Sequence, residues 1–549
     1  MGKHNLDKAA GMDKKQQAGT NNHKFLKGTL ILTVSSIVVK VIGSLNWIIL
    51  SRIMGGEGIG LYQMGFPIYL MAITVSSAGI PVAISIITAE KIAQHDYLGA
   101  KRVFHISLRL LFVTGLIFSL ALLVGARWLI DYHWIRDARA YYSIIALAPA
   151  VFFVTFLSSF RGYLQGWQIM TPTAASEIVE QLTRVVTMIF FANLLMPQGL
   201  AYAAGGASMG AGVGALCGLL VLCWFYNRLK KQFKGELVRQ ALGAVKEPAW
   251  SVVRRLVALA LPVSMSSLML PVVANLDLLI VPARLETAGF AVGHATELFG
   301  YLTGMAVPLV NLSTILTASL SISLVPAIAE SRALGDFLGI KEKTKTAFRV
   351  ASIITIPCSV GLFLLAEKIA AMIYNAPLAA PAIQTMSMAI FLLGLHQVST
   401  GILQGLGKTT IPVVNMLAAG AAKVGLNWYL TAIPWLGIKG AAWATVADIG
   451  LAAVLNLIFI YKYTDFALPV LGVVKTIVAS AVMGAAVVGV LAVTPTWGAW
   501  NILAAMLAAV PVYGVVLVVI GGLQREDVEH LPFAGRHLLS WGQKFGYFH

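Results

Sequence analysis

The sequence predicts an all-α polytopic membrane protein of about fourteen transmembrane helices, built as two parallel six-helix repeats followed by two extra helices. Three observations predict it: the composition, a succession of long apolar runs, and self-similarity at a spacing of about 240 residues. Hydrophobic residues fill 58% of the 549 positions and charged residues 11%, and the mean hydropathy is +0.81. Soluble globular chains carry about 25% charged residues, so lipid is the solvent for which this chain is composed.

Crossing a hydrocarbon core of ~30 Å takes ~20 apolar residues of helix. Runs of that kind stand near 29–51, 59–87, 105–126, 141–160, 172–196, 205–227, 256–282, 298–325, 348–366, 381–401, 411–433, 440–461, 468–493 and 498–522. They are too long for core strands and lack the alternation of outer-membrane barrel strands. No early apolar run is followed by a small-residue cleavage site, so no removable signal peptide is expected. The first 28 residues are polar and are expected to be disordered.

A net charge of +17 invites a nucleic-acid reading, and its distribution argues against one. About 28 of the 40 Lys and Arg residues, Arg161 among them, fall in the N-terminus, alternate loops and the C-terminus, against about 7 in the opposite loops. Such a bias is the positive-inside rule, and it predicts a cell-membrane protein with both termini cytoplasmic. The basic loops at 88–104, 228–255 and 330–347 suit anionic membrane lipids. The three cysteines, Cys217, Cys223 and Cys358, lie within apolar helices at no metal-ligand spacing and read as small packed hydrophobes.

Self-similarity orders the chain. Gly162-Tyr163-Leu164-Gln165-Gly166 reappears as Gly401-Ile402-Leu403-Gln404-Gly405, 239 residues on. Pro172 and Pro412 open the next helices, and Arg184 and Lys423 lie about a dozen residues into them. Upstream, Gly60 matches Gly300 and Ala89-Glu90 matches Ala329-Glu330. An even number of spans per half gives parallel repeats about an axis along the membrane normal, with a substrate site expected between the halves near the midplane. The expected division is a disordered cytoplasmic N-terminus at 1–28, a six-helix bundle at 29–240, a second at 241–462, and two further helices with a cytoplasmic tail at 463–549.

An ionisable side chain at mid-membrane costs roughly 2.5–3.5 kcal/mol on insertion scales, so each needs a partner, a wet cavity or a role. Lys40 lies about twelve residues into the first helix, at ~18 Å of depth, and Arg184 and Lys423 lie equally deep in helices 5 and 11. Three deep cations give a central cavity a positive potential suited to an anion such as a diphosphate. Arginine clamps phosphate oxygens in pairs, whereas lysine acts as a point charge. Arg184 has a local alternative in Glu180, one turn earlier on the same face; Lys40 and Lys423 have no acidic residue nearby in the chain. Arg52 ends the first helix, and Arg284 is expected at the outer mouth, as a cavity cation or an interfacial anchor. The membrane acids Glu177, Glu180, Asp277 and Asp448 are expected to serve as counter-charges or to couple transport to H+ or Na+. Prolines at 67, 81, 262, 271, 308, 326 and 357 mark kinks. No phosphate-binding glycine loop, metal-ligand spacing or catalytic carboxylate cluster stands out, so neither enzymatic activity nor a cofactor is expected.

The stretch Gly58-Ile-Gly-Leu-Tyr-Gln-Met, continuing to Ala78-Gly-Ile-Pro-Val-Ala-Ile-Ser and Ala89-Glu90, resembles the stage V sporulation protein B group of lipid II flippase-like proteins. So do Asn275-Leu-Asp277-Leu-Leu-Ile-Val-Pro282 with Arg284, and Leu324-Val-Pro326-Ala-Ile-Ala-Glu330. That group sits in the multidrug/oligosaccharidyl-lipid/polysaccharide exporter superfamily, and the resemblance covers residues 25 to 525. It implies fourteen helices, two six-helix bundles, and a central cavity that opens alternately to each side. It also implies a lipid-linked sugar substrate, the undecaprenyl-diphosphate peptidoglycan precursor used for spore cortex or wall synthesis. Related flippases carry several arginines in the first helix. Here Val39-Lys40-Val41-Ile42-Gly43 puts Lys40 in that role, Asn46 stands where a second arginine is found, and Arg52 ends the helix. The expected protein is therefore a monomeric flippase of a lipid-linked oligosaccharide. The alternative is a cation-coupled multidrug exporter, for which the membrane acids would line the path.

Overall fold

In a computed structural model, the described residues are 3–77, 79–233, 235, 240, 247–467, 470–494 and 499–522, and among them there is helix but no strand. The C-terminal tail and most of the central basic loop, with Arg525, Arg536 and Lys544, lie outside them. Helix α1 (Lys3–Ser77) is broken at Gly55, whose φ of 66° turns the chain. It begins inside the segment expected to be disordered: nothing before Pro67 removes a backbone donor, so the polar lead-in continues the helix.

Then follow α2 (Ile80–Ala93), α3 (Tyr97–Asp131), α4 (Tyr141–Gly166), α5 (Thr171–Leu195) and α6 (Leu200–Gln232). The second half opens with α7 (Ala249–Thr287) and continues with α8 (Val292–Gly300), a widened π-helical stretch Tyr301–Ala306, α9 (Val307–Ser313) and α10 (Ile315–Ala333). It ends with α11 (Phe337–Lys368), α12 (Ala380–Ser387), α13 (Ala389–Gly405), α14 (Thr410–Leu430), α15 (Ile438–Thr464), α16 (Val470–Val493) and α17 (Ala499–Val519).

Among the described residues, ten helices are long and apolar enough to cross a membrane, or twelve if each of two bent pairs is one span. Two elements account for the difference between these twelve and the fourteen expected. The stretch Val34–Ala93 counts once although its 60 residues reach ~90 Å as helix, and α14, which carries Lys423, is not among the ten.

The chain divides into two compact units, one of residues 1–46 and 64–275, the other of 47–63 and 276–549. This division departs from the boundaries at 240 and 462. Each half of the repeat lends a segment to the unit built mainly from the other. The first part of α7 belongs to unit 1, where Val252, Leu256 and Ala260 join a core of Ile84, Phe104, Tyr163 and Leu222. The end of the first span belongs to unit 2. There a Cβ on Gly60 would stand 2.0 Å from the Thr296 carbonyl, and one on Gly300 would stand 2.3 Å from that of Gly56. Positions 56 and 296 are 240 apart, as are 60 and 300, so the crossing is reciprocal, like contacts across a two-fold axis.

The duplicated Gly-x-x-x-Gly motifs do the same work in each unit. In unit 1, a Cβ on Gly162 would lie 2.5 Å from the Pro81 carbonyl, and Gly166 rests against Ser85 and Thr88. In unit 2, Gly401 would meet the Ser321 carbonyl at 2.6 Å, and Gly405 rests against Val325 and Ile328. Small residues at such crossings let backbones approach where lipid supplies no hydrophobic drive between helices. Asp96 and Asp336, again 240 apart, cap α3 and α11 by accepting from the amides of Gly99 (2.7 Å) and Gly339 (2.8 Å).

Gly162→Ala and Gly401→Ala are expected to lower thermal stability in detergent by about 1–3 kcal/mol each through overpacking. Gly489→Ala, with nothing within 4 Å of its added carbon, should leave the unfolding temperature unchanged. Equal behaviour of all three variants in scanning fluorimetry would contradict the close crossings.

Candidate functional site

In unit 1, the candidate residues come from α1, α4 and α5. Helices α1 and α5 lie side by side: a Cβ on Gly43 would reach Gln181 at 3.1 Å, and Asn46 Nδ2 donates to Met188 Sδ at 3.5 Å. Lys40 sits one turn before that contact level on α1, and Arg184 sits one turn after Gln181 on α5. Lys40 is exposed and has no ion pair among the described residues. Arg184 is half-buried, and its guanidinium stands 5.6 Å from the centroid of the Phe66 ring.

Glu180 is held from a neighbouring helix. Arg161 Nη2 donates to Glu180 Oε2 at 2.7 Å and to Ser176 Oγ at 3.2 Å. The sequence placed Arg161 among the loop cations, but it lies within α4 and is half-buried. Glu177 is half-buried too, one turn before Glu180 on α5. It lies within electrostatic reach of both Arg161 and Glu180, so the α4–α5 seam carries two carboxylates for one guanidinium.

In unit 2, Lys423 is only 6% exposed, and its ammonium lies 2.5 Å from Asp277 Oδ2. Asn427, one turn further along α14, donates to Asp277 Oδ1 at 2.8 Å. Asp448 on α15 is half-buried and within electrostatic reach of both Lys423 and Asp277. The sequence offered Lys423 no partner because Asp277 lies 146 residues earlier, on α7. Arg52 is also tied down, donating to the carbonyls of Ile373 (2.9 Å) and Met372 (2.5 Å). Arg284 donates to the Trp428 carbonyl at 2.9 Å and lies 4.5 Å from the centroid of that ring. Lys423, Arg52 and Arg284 thus each donate to a partner on their own unit.

Sequence reasoning missed the inward role of Arg161 and a polar network around Asn456. Asn456 accepts from Asn415 Nδ2 at 2.8 Å and donates to Ser399 Oγ at 3.1 Å and Thr400 Oγ1 at 3.2 Å. Asparagines inside apolar runs were the available signal. Among the described residues, no group of three or more His, Cys, Asp or Glu side chains is placed to hold a metal ion.

All-helical spans, a parallel repeat and ionisable residues inside the spans are the build of the multidrug/oligosaccharidyl-lipid/polysaccharide exporter superfamily. The chain matches the polysaccharide biosynthesis protein family over residues 25–332 and belongs to it; residues 302–429 match the MatE family. It is 29% identical to stage V sporulation protein B of Bacillus subtilis (strain 168) over 520 residues, covering 94% of this chain and 99% of that one. It is 26% identical to the lipid II flippase MurJ of the same organism over 487 residues, covering 84% and 88%. Among solved structures, lipid II flippase MurJ in an inward closed conformation superposes with a TM-score of 0.67 at 14% identity, over 89% of this chain and 98% of that one. An inward-facing multidrug resistance MATE family transporter superposes with a TM-score of 0.63 at 15% identity, over 80% and 98%.

Removing one partner of a buried ion pair strands the other. Lys423→Met is expected to cost about 3 kcal/mol, the low end for such pairs, because Asp277 keeps 23% side-chain exposure. Lys423→Met combined with Asp277→Leu should recover most of that loss. Thermal unfolding of the four proteins closes the cycle, and strictly additive losses would show that the two side chains are not coupled.

Proposed function

We propose that this protein is a flippase that carries a lipid-linked oligosaccharide, the undecaprenyl-diphosphate peptidoglycan precursor, across the cytoplasmic membrane for spore cortex or wall synthesis. It works as a monomer by alternating access, with both termini in the cytoplasm. The observation that carries the reading is the placement of Lys40 and Arg184 on adjacent helices of one unit, either side of the Gly43–Gln181 contact. Arg184 supplies a planar fork for phosphate oxygens and Lys40 a mobile point charge. The glycan needs a wet path, while the polyprenyl tail stays in lipid.

The Lys423–Asp277 pair and Asp448 supply a charged cluster that a proton or Na+ can bias, as do Glu177 and Glu180 in unit 1. Arg52 and Arg284, held by backbone carbonyls, position the ends of their helices. The match of residues 302–429 to the MatE family, together with these carboxylates, favours a second reading, cation-coupled export of drugs.

Reconstitution in vesicles separates the two. Lipid II offered to the wild-type protein should be translocated, and Lys40→Ala or Arg184→Ala should slow it roughly ten- to a hundred-fold, the worth of a hydrogen bond to a charged group, with folding intact. Arg184→Lys should recover part of the rate. Transport of a cationic dye instead of lipid II, or unimpaired lipid II transport by both alanine variants, would overturn the flippase reading.

A further inference from the structure

Where α10 turns into α11, unit 2 ends in an apolar tip. Leu334, Phe337 and Leu338 are 77, 73 and 78% exposed there. A lipid surface does not reach them. The apolar run of α11 starts near residue 348, so Phe337 stands ~16 Å before it along the helix. The polar layer on each side of a ~30 Å hydrocarbon core is only roughly 5–8 Å thick. Large apolar side chains grouped in water mark a surface that docks something.

The matching turn in unit 1 is covered. Tyr97 and Leu98 stand 240 residues before Phe337 and Leu338, and both are half-buried. The Tyr97 ring stacks on Trp167 with centroids 5.8 Å apart and lies 5.5 Å from Phe233. The Leu98 amide donates to Gln240 Oε1 at 3.0 Å. Phe233 and Gln240 belong to the chain that leaves α6, the last helix of the first half. In unit 2 the chain that leaves the last helix, α17, runs on into 523–549, which lies outside the described residues.

That stretch starts beside α11. Gly521 and Gly522 line one cleft with Lys345, and the Gly521 carbonyl accepts from Lys475 Nζ at 3.0 Å, which fixes the exit. From Lys345 to Phe337 is ~12 Å along the helix, a distance that about four extended residues span. Residues 523–549 number 27, so reach is not limiting. The order of chemistry also matches. Towards the tip, α11 presents Lys345 and Lys341, both exposed and with no ion pair among the described residues, and they outnumber the one exposed acid beside them, Glu342. Phe337, Leu338 and Leu334 follow. The C-terminal stretch presents Glu526, Asp527 and Glu529 first, then Leu531 and Phe533.

We propose that the C-terminal stretch 523–549 docks on the α10–α11 turn of its own unit, its acidic run beside Lys341 and Lys345 and Leu531 and Phe533 on the tip formed by Leu334, Phe337 and Leu338. Charge selects the segment and apolar contact holds it. The inference holds whatever the protein transports.

Photocrosslinking of the full-length protein in lipid nanodiscs tests it, with benzoylphenylalanine in place of Phe337 and mass spectrometry of the digest. The captured peptides should come from 523–549. Mixing isotope-labelled and unlabelled chains tells a crosslink within one chain from one between copies, and it should show the former. E526Q/D527N/E529Q should lower the yield about five-fold, two exposed ion pairs at roughly two-fold each or slightly more, and K341Q/K345Q should lower it to a similar degree. Capture of lipid, of a second copy or of another stretch of this chain would overturn the proposal. So would the absence of any crosslink, or a yield untouched by both charge variants.

Discussion

A charge inside a lipid-spanning helix must meet either a partner or water, because the bilayer core solvates neither an ammonium nor a carboxylate. That requirement organises the interior of both units. In unit 2 it draws α14 to α7 through Lys423, Asp277 and Asn427. In unit 1 it draws α4 to α5 through Arg161, Glu180 and Ser176. These contacts select particular faces of helices that are otherwise apolar all round, and so fix rotations that hydrophobicity alone leaves open. Lys40 is exposed and enters none of these pairings.

Packing at the glycine motifs complements this. Gly162 and Gly401 let α4 and α13 approach α2 and α10 at positions that correspond through the repeat. Duplication thus preserved the backbone crossings on which each unit is built. Segments 47–63 and 249–275 each join the unit built mainly from the other half.

Much of this was legible in the sequence. Spans were visible because lipid demands long apolar runs, and the repeat was visible because glycine crossings tolerate little change. The placement of Lys40, Arg184 and Lys423 well inside long helices followed from simple counting along the chain. Partners were not legible: Asp277 and Lys423 meet across 146 residues, and no local pattern encodes which helices adjoin. Arg161 was misplaced because a cation near a helix end looks the same whether it turns outward to the interface or inward to Glu180. The unit boundary was missed for a related reason: α7 is continuous, so its change of allegiance at Asn275 leaves no break in the chain.

The two halves of the repeat share glycine crossings and helix caps but not the charges inside their helices. Lys40 corresponds to Ile280, and Asp277 to Ile37, at a spacing of 240. At the local spacing of 239, Arg161 and Glu180 likewise have no charged counterparts: they fall on Thr400 and Ala419. Of the singled-out cations and acids, unit 1 holds Lys40 and Arg184 with Glu177 and Glu180, and unit 2 holds Arg52, Arg284 and Lys423 with Asp277 and Asp448. Each unit therefore meets the need for partners with residues of its own: Arg161 serves Glu180 in the first, and Asp277 serves Lys423 in the second.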